Sequence, residues 1–302
     1  MEIEIHSLEE YIEQIRNVNS QMIRNGANKN EVLLFRGHEN KNYELIPSIG
    51  RNRRSTCDIS IFNEERNLIS KAQYQLPDVF RNDLQPVELL ALLQHYGIPT
   101  RLLDVTENAL VALFFACIKE SDADGEIIIF KHNERDITNY PVINAIADTY
   151  RFTNGTSTAL GTFYSDVICQ PYFIEQARML KAIHSDEIAG GRWIKKVCSL
   201  PLFVFAPVRT MRQQLQRGRY LLFPNDIEPY ELDTKQDAFV WKISPLPKSH
   251  ECVAARIIIP AKIKKQLLED ISFCGITEAS LFGDSVDIVC RNIKNESMLK
   301  IN

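Results

Sequence analysis

The hydrophobic positions along the chain change period several times, and each change predicts an element. Leu8, Tyr11, Ile12 and Ile15 fall on one face of a helix, and Ser7-Leu8-Glu9-Glu10 ahead of them has the spacing of a capping box, so a helix is predicted over 7–25. Val32-Leu33-Leu34-Phe35 is an unbroken apolar run ending at Arg36-Gly37, which predicts a buried strand. The segment 42–51 reads as extended chain and turn around Pro47, and a helix over 61–75 stops before Pro77. Pro86 suits the first turn of a helix carrying Leu89, Leu90, Leu92 and Leu93. Gly97 and Pro99 then break the chain, and 100–105 reads as extended. Thr106 is the predicted N-cap of an apolar helix running to Lys119, with Glu107 favourable in its first turn.

Further along, GEIIIF (125–130), LPLFVFAP (200–207), the run from Tyr220, 239–243 and 255–259 predict strands. Helical patterns cover 138–149, 172–189 and 261–271, and 154–162 reads as a loop. Strands and helices are interleaved without an internal repeat. This predicts an α+β fold, a mixed sheet core flanked by helices, as one unit over 1–302. The 7–25 helix would be an appendage and 135–200 a helical insertion.

Composition narrows the class. Hydrophobic residues make up 45% of the chain and charged residues 25%, as in ordinary globular proteins. A formal charge of −4 argues against non-specific nucleic-acid binding yet permits a local basic cleft. The seven cysteines (57, 117, 169, 198, 252, 274 and 290) form no CxxC pair, and Cys117 and Cys198 sit among apolar residues. Reduced core thiols in a reducing compartment are expected, with neither a disulfide framework nor a zinc site. No leader pattern and no apolar run of about 18 residues is present, so a cytoplasmic protein with no membrane partner is expected.

Four places could carry chemistry. Arg36 ends an apolar strand before a glycine, where its planar fork can meet phosphate or carboxylate while Gly37 leaves a ligand room. It could equally pair with a buried carboxylate such as Asp104 and tie strand to helix. Second, Thr100, Arg101, Asp104, Thr106 and Asn108 fall within nine residues. Helix capping accounts for one or two of them; hydroxyls and an amide could hold ribose or phosphate. His95 beside Tyr96 is a candidate acid/base or stacking pair, or a structural helix-end histidine. Third, Arg209, Arg212, Gln213, Gln214, Arg217 and Arg219 form either an anion-binding patch or a solvated basic turn. Fourth, Glu278 could stabilise a cationic transition state or serve as an N-terminal helix charge. No Walker loop, GxGxxG, GxSxG or HExxH occurs.

LLFRGHENKNYELIPSIGR (33–51) and QHYGIPTRLLDVTENALVALFFA (94–116) together resemble the FRG domain family, named for a Phe-Arg-Gly triplet, here Phe35-Arg36-Gly37. RTMRQQLQRGRYLLF (209–223) and GITEASLFGD (275–284) resemble that family's later blocks. The chain departs from the pattern at Val105, where the family has an aromatic, and at Ala109 and Gly283, where it has prolines. A second similarity is to ADP-ribosyltransferases, in the order of Arg36, a hydroxyl-bearing strand (Thr100, Thr106) and the late Glu278. These resemblances imply an ADP-ribosyltransferase-like fold, NAD as substrate and no metal, with a protein or nucleic-acid acceptor. Arg36 would hold NAD, and Gly37, Thr100, Arg101, Asp104, Thr106, Asn108, Arg212 and Gln213 would line the pocket. Arg36, Glu278 and His95 would be catalytic. The alternative is a non-catalytic nucleotide- or nucleic-acid-binding module, with phage defence or toxin action as family-associated roles.

Overall fold

A computed structural model describes residues 2–24, 31–51, 61–119, 122–133, 141–151, 201–207, 210–223, 226–233 and 238–282. The helices expected at 172–189, the loop at 154–162, Cys198 and Arg209 lie outside these residues.

A seven-stranded sheet has the order β1-β9-β4-β2-β3-β6-β5. Its strands are β1 (Glu2–Glu4), β2 (Glu31–His38), β3 (Leu102–Thr106), β4 (Gly125–Asn133), β5 (Leu202–Val204), β6 (Gly218–Leu222) and β9 (Val253–Ile259). β1 runs parallel to β9, whereas the other neighbours are antiparallel, so the sheet is mixed. β7 (Asp226–Asp233) and β8 (Ala238–Lys242) form a separate antiparallel ribbon. The α+β expectation holds.

Period-two alternation divides the core. In β4, Ile127 and Ile129 pack on one face with Phe35 and the apolar helix α4 (Ala109–Cys117). That layer also takes Tyr11 of α1 (Leu8–Arg24), Leu267 of α7 (Lys264–Ser272) and Leu281 of α8 (Glu278–Phe282). Ile128 and Phe130 point the other way, onto Leu34, Leu103, Val105 and the turn bearing Leu45, Ile46 and Ile49. A third cluster joins α2 (Glu65–Gln75), α3 (Pro86–His95) and α5 (Pro141–Ala147) to Leu102, Tyr220 and Leu222. Among the described residues, no helix is long and apolar enough to cross a membrane.

Several local expectations are refined. The Ser7 hydroxyl accepts from the Glu10 amide, but the Glu10 carboxylate accepts from the amide of His6, one residue before the expected partner. The helix predicted at 61–75 opens as a 3-10 turn, Ile61–Glu64, before α2. The N-cap of α4 is Asn108, whose side-chain oxygen accepts from the Leu110 amide, and not Thr106. Cys117 is a free, buried thiol in α4, its pKa pushed up to about 12 by burial.

Two glycines set the seat of α4. A Cβ on Gly37 would lie 1.9 Å from the Ala112 carbonyl oxygen and 2.8 Å from the Ala116 amide nitrogen. One on Gly125 would lie 2.6 Å from the Ala116 oxygen. Helix backbone therefore rests directly on β2 and β4, closer than any side chain permits.

Candidate ligand cavity at the β2–β3 seam

β2 pairs with β4 over eight residues but with β3 only at Phe35 and Thr106. Where the strands part, Arg36 reaches across from β2, its Nη1 donating to Asp104 O at 2.5 Å. This brings Arg36 to the 94–108 cluster through the main chain of Asp104, not through its carboxylate. The seam opens into a cavity of about 320 Å³, within the lower range of small-molecule sites.

The lining includes Arg36, Gly37, His38, Glu39, Tyr43 and Arg51 from β2 and the segment after it. Gln94, His95, Asp104, Thr106 and Phe115 line the next wall, and Arg212, Gln213, Gln216 and Tyr220 the last. Seven predicted site residues thus meet at one cavity: Arg36, Gly37, His95, Asp104, Thr106, Arg212 and Gln213. Four do not line it. Arg101 is entirely buried in an ion pair with Glu65 (2.8 Å) and donates to the carbonyls of Ile146 and Ala147, so it acts as a core crosslink. Thr100 is buried and donates to Gln94, and Asn108 caps α4. Glu278 is the first residue of α8, in the position of a helix N-terminal charge. Gly37 contributes main chain to the lining, but the space its missing side chain leaves is taken by α4.

Most polar groups on the walls are held. Thr100 Oγ1 donates to Gln94 Oε1, and Gln94 Nε2 donates to the Asp104 carboxylate at 2.8 Å. Thr106 Oγ1 donates to Gln216 O, and Gln216 Nε2 reaches Leu281 O on α8. The expected basic turn is instead a short helix, α6 (Met211–Leu215), opened by a capping box between Thr210 and Gln213. Gln213 Nε2 donates to the Tyr220 hydroxyl at 2.7 Å. Arg219 leaves the patch to pair with Glu107 at 2.8 Å. Arg212 stays at the cavity, its guanidinium 4.8 Å from the centre of the Phe282 ring.

Three guanidinium groups, Arg36, Arg51 and Arg212, line the cavity, and among the described residues none has a carboxylate partner in an ion pair. The two wall carboxylates are engaged elsewhere: Glu39 accepts from Lys119 and Tyr43, and Asp104 from Gln94. Burial lowers the Arg36 pKa to about 10, opposed by the nearby Asp104 charge, so the group stays cationic at neutral pH. The His95 pKa is lowered by partial burial and by the Arg212 charge. Its ring sits edge-on to Tyr96, with centroids 4.9 Å apart. Among the described residues, no group of three or more His, Cys, Asp or Glu side chains is arranged to hold a metal ion.

Sequence reasoning missed His38, which stands two residues beyond Arg36 on the same side of β2. Strand alternation alone would have found it. Arg36 Nε donates to His38 Nε2 at 2.9 Å, so the imidazole proton is on Nδ1, 3.7 Å from Glu126 Oε2. Glu126 is fully buried and also takes Lys248 and Arg256, and Arg256 continues to Glu2. Burial opposes the Glu126 charge, but the bonds from Lys248 and Arg256, with the His38 ring nearby, outweigh it and hold the carboxyl below its usual range. Two hydrogen bonds, Nε to the neutral His38 ring and Nη1 to Asp104 O, therefore fix the plane of Arg36.

Burial lowers the His38 pKa to about 4, more than the nearby Glu126 carboxylate raises it, and burial lowers His132 to about 4 as well. The unfolded chain binds these protons first, near pH 6.5, so folding stability should fall as pH drops from about 6.5 to 4. His38 alone contributes up to about 3 kcal/mol. Denaturant unfolding at stepped pH should show this slope, and His38→Gln should remove roughly the His38 share while His132 keeps the remainder. An unchanged slope in His38→Gln would contradict the assignment.

A family model for the FRG domain matches residues 31–125. That match covers 95 of the 302 residues. The matched segment supplies β2, α3, β3, α4 and the first residue of β4, and with them one side of the cavity, including Arg36, Arg51, His95 and Asp104. The side formed by Arg212, Gln213 and Tyr220 lies outside the matched FRG segment. A search of curated proteins returned no match, and neither did a search of solved structures.

Proposed function

We propose that the segment matched to the FRG domain, completed by α6 and β6, binds a phosphate-bearing nucleotide in the seam cavity. The observation that carries this reading is the set of three guanidiniums facing one cavity without carboxylate partners among the described residues, in a chain of net charge −4. Arginine forks pair with phosphate oxygens in two parallel bonds, and such charge-assisted bonds each contribute about 1.5–3 kcal/mol. Tyr43, Phe115 and Tyr220 offer aromatic surface for a base, and Thr106 and Gln216 lie on the wall nearest the end of β3. Calorimetric titration with ADP tests the reading. Wild type should bind, and Arg36→Gln should weaken binding roughly 10- to 150-fold, the equivalent of one lost charge-assisted bond. Arg212→Gln should weaken it less, because that side chain is also engaged with Phe282. Wild type failing to bind ADP, or Arg36→Gln binding equally well, would sink the reading.

ADP-ribosyl transfer from NAD is the enzymatic form of the same proposal. Arg36 would hold the pyrophosphate while nicotinamide leaves C1′ and an acceptor nucleophile, on protein or nucleic acid, or water, attacks there. Its support is the presence of Arg36 and Thr106 on one cavity. The positive charge developing at the sugar calls for a nearby carboxylate. Glu39 and Asp104 line the cavity and Glu278 does not, so transfer would rest on one of the first two. Nicotinamide release measured for wild type, Glu39→Gln, Asp104→Asn and Glu278→Ala decides this. Loss of release in Glu278→Ala alone would restore Glu278 to the site, and no release by wild type would leave a binding module.

A further inference from the structure

A second cavity, of about 360 Å³, also has Arg36 in its lining. It is lined by Ser48, Gly97, Ile98 and Pro99, and it shares Arg36, Arg51, Gln94 and Asp104 with the first. The two spaces therefore meet at a common wall that contains two guanidiniums, one amide and one carboxylate. Each alone is near the lower end of the about 300–1,000 Å³ typical of ligand sites. Tyr43, Phe115 and Tyr220 give the first lobe an aromatic surface. Ile98 and Pro99 contribute apolar atoms to the second, alongside Gly97.

We infer that the ligand is two-lobed: a dinucleotide whose central pyrophosphate lies against Arg36 and Arg51, with one nucleoside in each cavity. This rests on the nucleotide reading above and deepens it. The central wall suits a pyrophosphate because two guanidinium forks can satisfy oxygens on both phosphates. Arg36 is held for that task, its Nε on His38 and its Nη1 on Asp104 O, while among the described residues its Nη2 has no hydrogen-bond partner. The Asp104 carboxylate on the same wall would repel a phosphate but accepts from a ribose hydroxyl, and Gln94 fixes its orientation. A mononucleotide fills one lobe and leaves the other to water.

The test compares ADP, ADP-ribose and NAD by calorimetry on the full chain, with Ser48→Trp as the variant. Ser48 is half-buried, makes no side-chain bond among the described residues, and a tryptophan there occupies the second lobe. Wild type should bind NAD at least tenfold more tightly than ADP, with ADP-ribose between them. Ser48→Trp should bring NAD to within about threefold of ADP. ADP and NAD binding wild type equally would overturn the two-lobed ligand while leaving the nucleotide reading standing. Binding of neither would remove that reading itself. Should Ser48→Trp fail to fold, the wild-type ratio decides alone; should it fold and bind NAD as wild type does, the second lobe is not part of the site.

Discussion

Replacing Arg101 with methionine should destabilise the protein by about 3–5 kcal/mol, as removing one partner of a buried ion pair does. Arg101 is fully buried and Glu65 nearly so, with 2.8 Å between Nε and Oε1. Burial raises the Glu65 pKa, and the Arg101 charge opposes that rise. In Arg101→Met, Glu65 keeps the cost of burial and loses its partner. The carbonyls of Ile146 and Ala147 lose their donor at the same time. The fork therefore ties α2 and α5 to the strand that carries Asp104 and Thr106. The paired variant Glu65→Leu with Arg101→Met should recover most of the loss, because apolar residues of similar volume replace buried pairs at little cost. Denaturant unfolding of the two single variants and the double measures the coupling. A loss below about 1 kcal/mol in Arg101→Met would contradict the crosslink.

Gly37→Ala should lower stability by about 3 kcal/mol or more, at or beyond the upper end of ordinary overpacking. Its new methyl group would meet the main chain of α4 at 1.9 Å, and a backbone cannot rotate aside as a side chain can. Relief requires lifting α4 from β2, which opens the layer holding Phe35, Val111 and Leu113. The same movement widens the cavity at Phe115 and Ala112, so ligand binding should fail along with folding. Thermal unfolding and intrinsic fluorescence of Gly37→Ala beside wild type supply the check. A variant as stable as wild type would mean that α4 is not seated as described.

These two residues also mark where the sequence was and was not readable. The apolar run at 32–35 and the helix at 109–117 were legible because burial on both sides leaves few other arrangements for them. Arg36 at a cleft beside Asp104 was legible too, since a charge ending a buried strand must find a partner or solvent. Arg101 was not legible. An arginine in a polar cluster looks the same whether it faces a ligand or the core, and its partner Glu65 lies 36 residues earlier. The reason for Gly37 was misread because the crowding comes from helix backbone, which no local pattern announces. β1 escaped detection for another reason: three residues added parallel to β9 are too short to show a period. β7 contains Pro229, and its register with β8 is interrupted on both sides of that residue, which breaks the alternation expected of a strand.

The cavity is where local inference fell short in a useful direction. Arg51, Gln94, His38 and Tyr220 come from a turn, a helix end, a strand end and a distant strand, and only the parting of β2 from β3 brings them together. The family match ends at residue 125, yet Arg212 and Tyr220 complete the walls, so the site belongs to a unit larger than the matched segment.

A crystal structure grown with saturating NAD tests the central claim most directly. The pyrophosphate should lie against Arg36 and Arg51 at the β2–β3 seam, with Arg36 Nη2 within hydrogen-bonding distance of a phosphate oxygen and the Arg36–His38 bond kept. Nucleotide density away from the seam, or a seam left without nucleotide at saturation, would contradict it.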